Sequence, residues 1–236
     1  MKTWTGVLDR PPFPAKLTGH VVEPGDDPRM CGYAVMGDLA PRASFLDVMW
    51  LSMRGEMPSG DEREALSRAL IWLCPLHVGE GPTHAAVLAR IAGAPDEVVP
   101  AIGVAALGQL VAAELRALTP FFQWLREPGE APVPEAARAQ EVTPDARTQY
   151  EALARDTARW FGPARALPRH TVLTRVAAGY GVLHQLGAQR PLQLQAFAIW
   201  ARLTSVLGEA LHAQPGAVMT YPADLPPYRY IEDEAS

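Results

Sequence analysis

The segment "LHVGEGPTHAAVLARIAGAP" sets two histidines, His77 and His84, on either side of a Gly81-Pro82 turn. Pro82 suits the first turn of a helix, where a missing N–H is no loss. Helix N-termini attract anions, so a histidine placed before one can help hold a carboxylate. His77 equally reads as a loop residue that caps the preceding helix. His84 falls within the next helix and reads as structural. The two cysteines, Cys31 and Cys74, have no metal or redox spacing and read as reduced structural thiols. No Gly-rich phosphate loop, metal-ligand cluster or Ser-His-Asp set stands out.

The elements that must position these residues are helices. Residues 1–43 carry many prolines and glycines and read as an irregular arm or short β ribbon. Ser44 is placed as an N-cap, followed by Phe45, Val48, Met49 and Leu51 at helical spacing. Ser59 precedes "GDEREALSRALIWLC", whose acidic first turn suits the helix dipole, and Pro75 ends that run. "APDEVVPAIGVAALGQLVAAELRAL" is apolar almost all round, which predicts a helix buried on most faces. A Pro-, Ala- and Glu-rich stretch near 126–142 reads as a surface loop. Helical patterning resumes in "DARTQYEALARDTARWFG", "PRHTVLTRVAAGYGVLHQLG" and "RPLQLQAFAIWARLTSVLGEALH". The predicted organisation is an arm (1–43), an all-α domain (44–213) and an extended tail (214–236). No alternating strand run interrupts the body.

The chain has 236 residues, 48% of them apolar and 20% charged, with a net charge of -5. That length suffices for one sizeable core. No basic stripe exists to follow a phosphate backbone, so nucleic acid is not an expected partner. Gly103, Gly108 and Glu114 interrupt the longest apolar run, so no membrane span is expected. The start "MKTWTGVLDRPPFP" lacks a signal-peptide core, and a cytoplasmic location is the expectation.

Several segments in order resemble the citrate synthase family, most closely its small citryl-CoA lyase members. They begin with Trp4-Thr5 and continue through "CGYAVMGDLAPRASFLDVMWLSMRGEMPS" and "LHVGEGPTHAAVLARIAGAPDEVVPAIGVAALG". "PDARTQYEALA" is similar to the family's Asp-Pro-Arg segment, and "QAFAIWARLTSVLGEALH" to its last long helix. The resemblance covers nearly the whole chain. It implies an all-α citrate synthase-like fold and a homodimer. It also implies lyase or transferase chemistry on an acyl-CoA and a polycarboxylate such as citrate or oxaloacetate. Coenzyme A would enter as a thioester substrate, and no separate cofactor is expected.

Such chemistry needs a base for the α-proton, a donor at the enolate oxygen, and arginines or histidines for the carboxylates. The resemblance places His77 on the family's first histidine, as a polycarboxylate ligand. It places Arg147 on the arginine of Asp-Pro-Arg, and Arg202 on the arginine after Phe-x-Ile. Arg229, in "PPYRY", falls where relatives supply an arginine to the neighbouring subunit. Arg147 also reads as a solvated first-turn arginine, and the tail around Arg229 as simple packing on a partner.

The chain departs from the pattern at its catalytic positions. "LGQLVAAELRAL" has no histidine where the family has Gly-Pro-Leu-His, leaving Glu114 as the ionisable group nearby. Burial can keep a carboxyl protonated and able to donate, although Glu114 also reads as a glutamate at an exposed helix edge. "LPRHTVLTRV" lacks the family's aspartate and presents Val172, with His170 and Arg175 as the polar neighbours. His170 suits a base that titrates near working pH, or else it caps the helix after Pro168. Three readings follow: an active citryl-CoA lyase or citrate synthase, a degenerate binding or regulatory subunit, and altered acyl-CoA chemistry on the same scaffold.

Overall fold

The structure is a computed structural model, described for residues 19–127 and 131–214. Trp4, Thr5 and Arg229 therefore lie outside the described residues, as does nearly all of the predicted tail. The chain divides into two compact units, with the boundary between Arg63 and Glu64.

In the first unit, β1 (Val22–Glu23), β2 (Arg29–Met30) and β3 (Tyr33–Ala34) form a small antiparallel sheet in that order. The turn between β2 and β3 uses Cys31 and Gly32, both at positive φ. The Asp27 carboxylate accepts from the Met36 and Gly37 N–H groups, fixing the π-helical turn over Val35–Leu39. The described part of the predicted arm, residues 19–43, is thus a β ribbon followed by a bonded turn. Helix α1 (Phe45–Arg54) starts as its sequence dictates. Ser44 accepts from the Asp47 N–H, and Asp47 accepts from the Ser44 N–H in return. Gly55 closes the helix in the left-handed conformation, which glycine adopts without steric cost.

Helix α2 (Gly60–Leu73) begins with a second reciprocal pair, between Ser59 and Glu62. The helices that fall wholly within the second unit are α3 (Gly81–Ile91), α4 (Val98–Ala117), α5 (Thr119–Arg126), α6 (Pro144–Phe161), α7 (Arg175–Gln185) and α8 (Pro191–His212). Helices α3, α4 and α8 pack against one another around Ala86, Val87, Val99, Leu107 and Val206. Every residue of α7 from Ala177 to Gln185 is buried. Gly179 lets α7 approach α2, since a Cβ there would meet the Leu73 side chain at 2.7 Å.

Three sequence expectations need correction. Helix α4 is not buried on most faces: its buried stripe is Val99, Gly103, Leu107 and Val111, while Val98, Ala101, Val104 and Ala105 are exposed. It is also long and apolar enough, by length and composition alone, to cross a membrane; its glycines and Glu114 do not bring it below that threshold. Finally, "PRHTVLTRV" is not continuous helix. Thr174 caps α7 through the Ala177 N–H, and Leu173 instead forms an antiparallel bridge with Arg138. His170 therefore caps no helix there. The 126–142 stretch includes this bridge and a 3-10 turn at Glu135–Ala137.

Candidate functional site

Pro75 lies just beyond the end of α2, and the last carbonyls of that helix have no partners within it. Side chains from α7 and α8 supply them. Arg175 donates to the Trp72 carbonyl and, at 2.8 Å, to the Pro75 carbonyl. Arg202 Nε donates to Leu73 O at 3.2 Å, and Ser205 Oγ donates to Cys74 O at 2.7 Å. All four carbonyls from Trp72 to Pro75 thus accept from side chains. Two of the donors are guanidiniums, which the negative end of a helix favours.

Behind this belt, Arg202 is 1% exposed. Its Nη1 meets Glu114 Oε2 at 2.6 Å and its Nη2 meets Oε1 at 2.9 Å. Tyr180 donates its phenol proton to Glu114 Oε2 at 2.9 Å, and the guanidinium lies over the Tyr180 ring. Burial, reinforced by the Glu114 charge, pushes the Tyr180 phenol far above its ordinary range, so it stays a proton donor. Burial lowers the Arg175 pKa, as does the Arg202 charge, while Glu80 and Glu114 raise it. The buried cluster and the His77–Glu80 turn therefore act electrostatically on the same surface arginine.

Arg175 also lines a cavity of about 610 Å3. Its walls come from Ile71 and Trp72 of α2, Gln149 and Tyr150 of α6, Val172 and Leu173, with Glu141 and Val142 at one side. Trp72 and Tyr150 meet edge to face. The Tyr150 hydroxyl donates to Pro168 O at 2.6 Å, so the tyrosine presents its ring rather than its oxygen. Such a cavity suits an amphipathic ligand, with apolar walls for a chain and one guanidinium for an acidic group.

The residues predicted from sequence distribute unevenly around it. Arg202 and Glu114 come together, but not as acid and ligand: both Glu114 oxygens accept, so Glu114 does not serve as a hydrogen-bond donor toward Arg202 or Tyr180. His77 is exposed, with Nδ1 accepting from the Gly79 N–H and its own N–H donating to Glu80. Arg147 is exposed and does not line the cavity, although Ala146, Gln149 and Tyr150 on the same helix do. Helical spacing puts those three on one face and turns Arg147 away from it. His170 lines a separate cavity of about 350 Å3 with Ala158, Leu167 and Arg169. It is therefore not paired with Glu114. Sequence reasoning named Arg175 only as a polar neighbour and missed Tyr180 and Gln149. The Thr-Arg pair at a helix start could have marked Arg175, since Thr174 fixes where α7 begins.

No protein-family model matches the chain, and no curated protein sequence matches it. Among solved structures, it is similar to citryl-CoA lyase from Hydrogenobacter thermophilus, with a TM-score of 0.59 and 16% identity. The likeness covers 92% of this chain and 96% of that one. Identity at that level speaks for architecture: the chain has an all-α, citrate synthase-like fold.

Proposed function

We propose that this protein is a catalytically silent relative of the citrate synthase and citryl-CoA lyase scaffold, a homodimeric subunit that binds an acyl-CoA without making or breaking a carbon-carbon bond. The observation that supports this is the bidentate pairing of Glu114 with Arg202. The sequence resemblance puts Arg202 on an arginine that in relatives lies near the substrate or across the dimer, and we read it as the substrate-binding one. Here its two terminal nitrogens already hold an internal carboxylate, in a site where removing one partner of the pair is costly. A polycarboxylate would have to displace Glu114 to reach that fork. Proton transfer is equally unprovided for. The resemblance puts Val172 or a neighbour at the catalytic carboxylate; Val172 is a buried apolar wall residue, and His170 opens elsewhere.

The ligand is assigned to the cavity between α2 and α6. Its apolar walls suit an acyl or pantetheine chain, and Arg175 supplies positive charge for a carboxylate or phosphate. Isothermal titration tests the assignment. Acetyl-CoA is expected to bind saturably and citrate alone not to bind. Ile71→Glu, at an exposed wall position, is expected to weaken acetyl-CoA by about tenfold or more, because it sets a charge against an apolar chain. Absence of saturable acetyl-CoA binding to the unsubstituted protein overturns the reading. An active lyase has one observation in its favour, the fold shared over nearly the whole of both chains. Turnover would then require Glu114 to leave Arg202, and citrate would bind the unsubstituted protein.

A further inference from the structure

A second, smaller cavity of about 180 Å3 lies where the ends of α4, α5 and α7 meet the start of α8. It holds the volume of about six waters, at roughly 30 Å3 each. His184, in the last turn of α7, lines it and is 3% exposed. Neither of its ring nitrogens has a hydrogen-bond partner among the described residues. Buried polar atoms are nearly always satisfied, so two orphaned nitrogens on one ring need an explanation. Their surroundings supply one. Arg126, Gln123 and Thr119 of α5 line the same space, as does Gln189. Pro191, the first residue of the 22-residue α8, brings the positive end of that helix to the wall. The remaining lining is apolar, from Leu115, Phe122 and Leu194. Phe122 stacks on the imidazole with ring centroids 5.6 Å apart.

We infer that this cavity is a binding site for a short-chain monocarboxylate, with its carboxylate held by His184 and Arg126 and its alkyl part against Leu115, Phe122 and Leu194. Even a neutral imidazole keeps one N–H to donate, and a carboxylate accepts from it and from a guanidinium together. The electrostatics agree: burial first, and then the charges of Arg126 and Arg165, lower the His184 pKa. That marks an excess of positive potential which an anion would relieve. Arg165 itself is occupied with Gln185, through the backbone carbonyl and the side-chain oxygen. The site depends on none of the residues lining the larger cavity.

The test is a titration of the full chain with propionate, followed by the His184 ring signals in NMR and by calorimetry. Propionate is expected to shift those signals saturably. His184→Phe keeps the stack on Phe122 and removes both nitrogens. Losing a hydrogen bond to a charged group is expected to weaken propionate about tenfold or more. Arg126→Gln, at an exposed position, is expected to weaken it similarly and serves if the histidine variant does not fold. Inorganic phosphate and uncharged propionamide are expected not to compete, the first for want of an alkyl part and the second for want of charge. No saturable effect of propionate overturns the inference. So does an affinity in both variants equal to that of the unsubstituted protein, or phosphate binding as tightly as propionate.

Discussion

Arg202 and Glu114 stand 88 positions apart in the chain and meet through both carboxylate oxygens, at 2.6 and 2.9 Å. The arginine is 1% exposed and the glutamate side chain 20%. The pair fills the Arg202 fork with an internal carboxylate. It also ties the last turns of α4 to α8, while Arg202 Nε holds the end of α2.

Glu114→Ala is therefore expected to destabilise the fold strongly, because it leaves a buried guanidinium without its counter-charge. Breaking one side of a buried pair costs about 3 to 5 kcal/mol, and the partial exposure of Glu114 points to the lower end. Urea denaturation should show a reduced midpoint with an unchanged slope. The double variant Glu114→Ala, Arg202→Met should recover much of the loss, because the charge goes with its partner. A single variant as stable as the unsubstituted protein would show that water already screens the pair.

The pH dependence of the first unit should carry the signature of Asp47. Burial pulls its carboxyl up, but the bonds from Arg63 and from the Ser44 N–H and hydroxyl outweigh this and hold it below the usual aspartate range. A carboxyl lowered by folding contributes stability that is fully present above the unfolded value, near 3.9. That stability is lost as pH falls through the lower folded value. As pH falls below about 5 the urea midpoint should fall, and Asp47→Asn should flatten that part of the profile. Identical acid profiles for the two proteins would contradict the assignment.

Gly179 should not tolerate a methyl group. Its added Cβ would lie 2.7 Å from Leu73 Cγ and 3.2 Å from the Ala69 carbonyl, in a helix whose neighbours are fully buried. Overpacking of this kind costs about 1 to 3 kcal/mol, or about 2 to 4 °C in Tm per kcal/mol for a chain of this size. Thermal unfolding of Gly179→Ala measures it, and an unchanged Tm would mean that α2 and α7 separate easily.

Helix α4 is the expected dimer face. Ala101, Val104 and Ala105 are exposed on a helix with few charges, and small residues permit close helix contact. Light scattering at micromolar concentration should give a dimer, and Val104→Glu should give a monomer. A stable interface buries about 1,200 to 2,000 Å2, so one central charge suffices to disrupt it. A monomeric unsubstituted protein would contradict the dimer.

The helical architecture was legible because local signals agreed with one another. Ser44 and Ser59 mark helix starts by reciprocal capping, Pro75 marks an end, and Pro82 falls in a first turn. Helix α5 was not legible, because "TPFFQWLR" is short and follows α4 with only Leu118 between them. The exposure of α4 was hidden for a different reason: an apolar composition cannot say whether a helix is covered by its own chain or by another. At the site, residue types were readable but pairings were not. Glu114 and Arg202 are both visible in the sequence, yet only the packing of α4 on α8 shows that each satisfies the other. Arg147 was misplaced for a related reason, since one step along a helix turns a side chain about 100° away from the cavity face.

The measurement that bears most directly on the central claim is thiol release from acetyl-CoA in the presence of oxaloacetate, with citryl-CoA cleavage as the reverse assay. Removal of a single transition-state donor typically costs a factor of about 100 to 1,000 in rate. The resemblance indicates that this chain lacks both the base and that donor. A rate indistinguishable from the reaction without protein is expected, in either direction. Turnover near 10 per second, about the median for enzymes, would contradict it and would mean that Glu114 leaves Arg202 during a catalytic cycle.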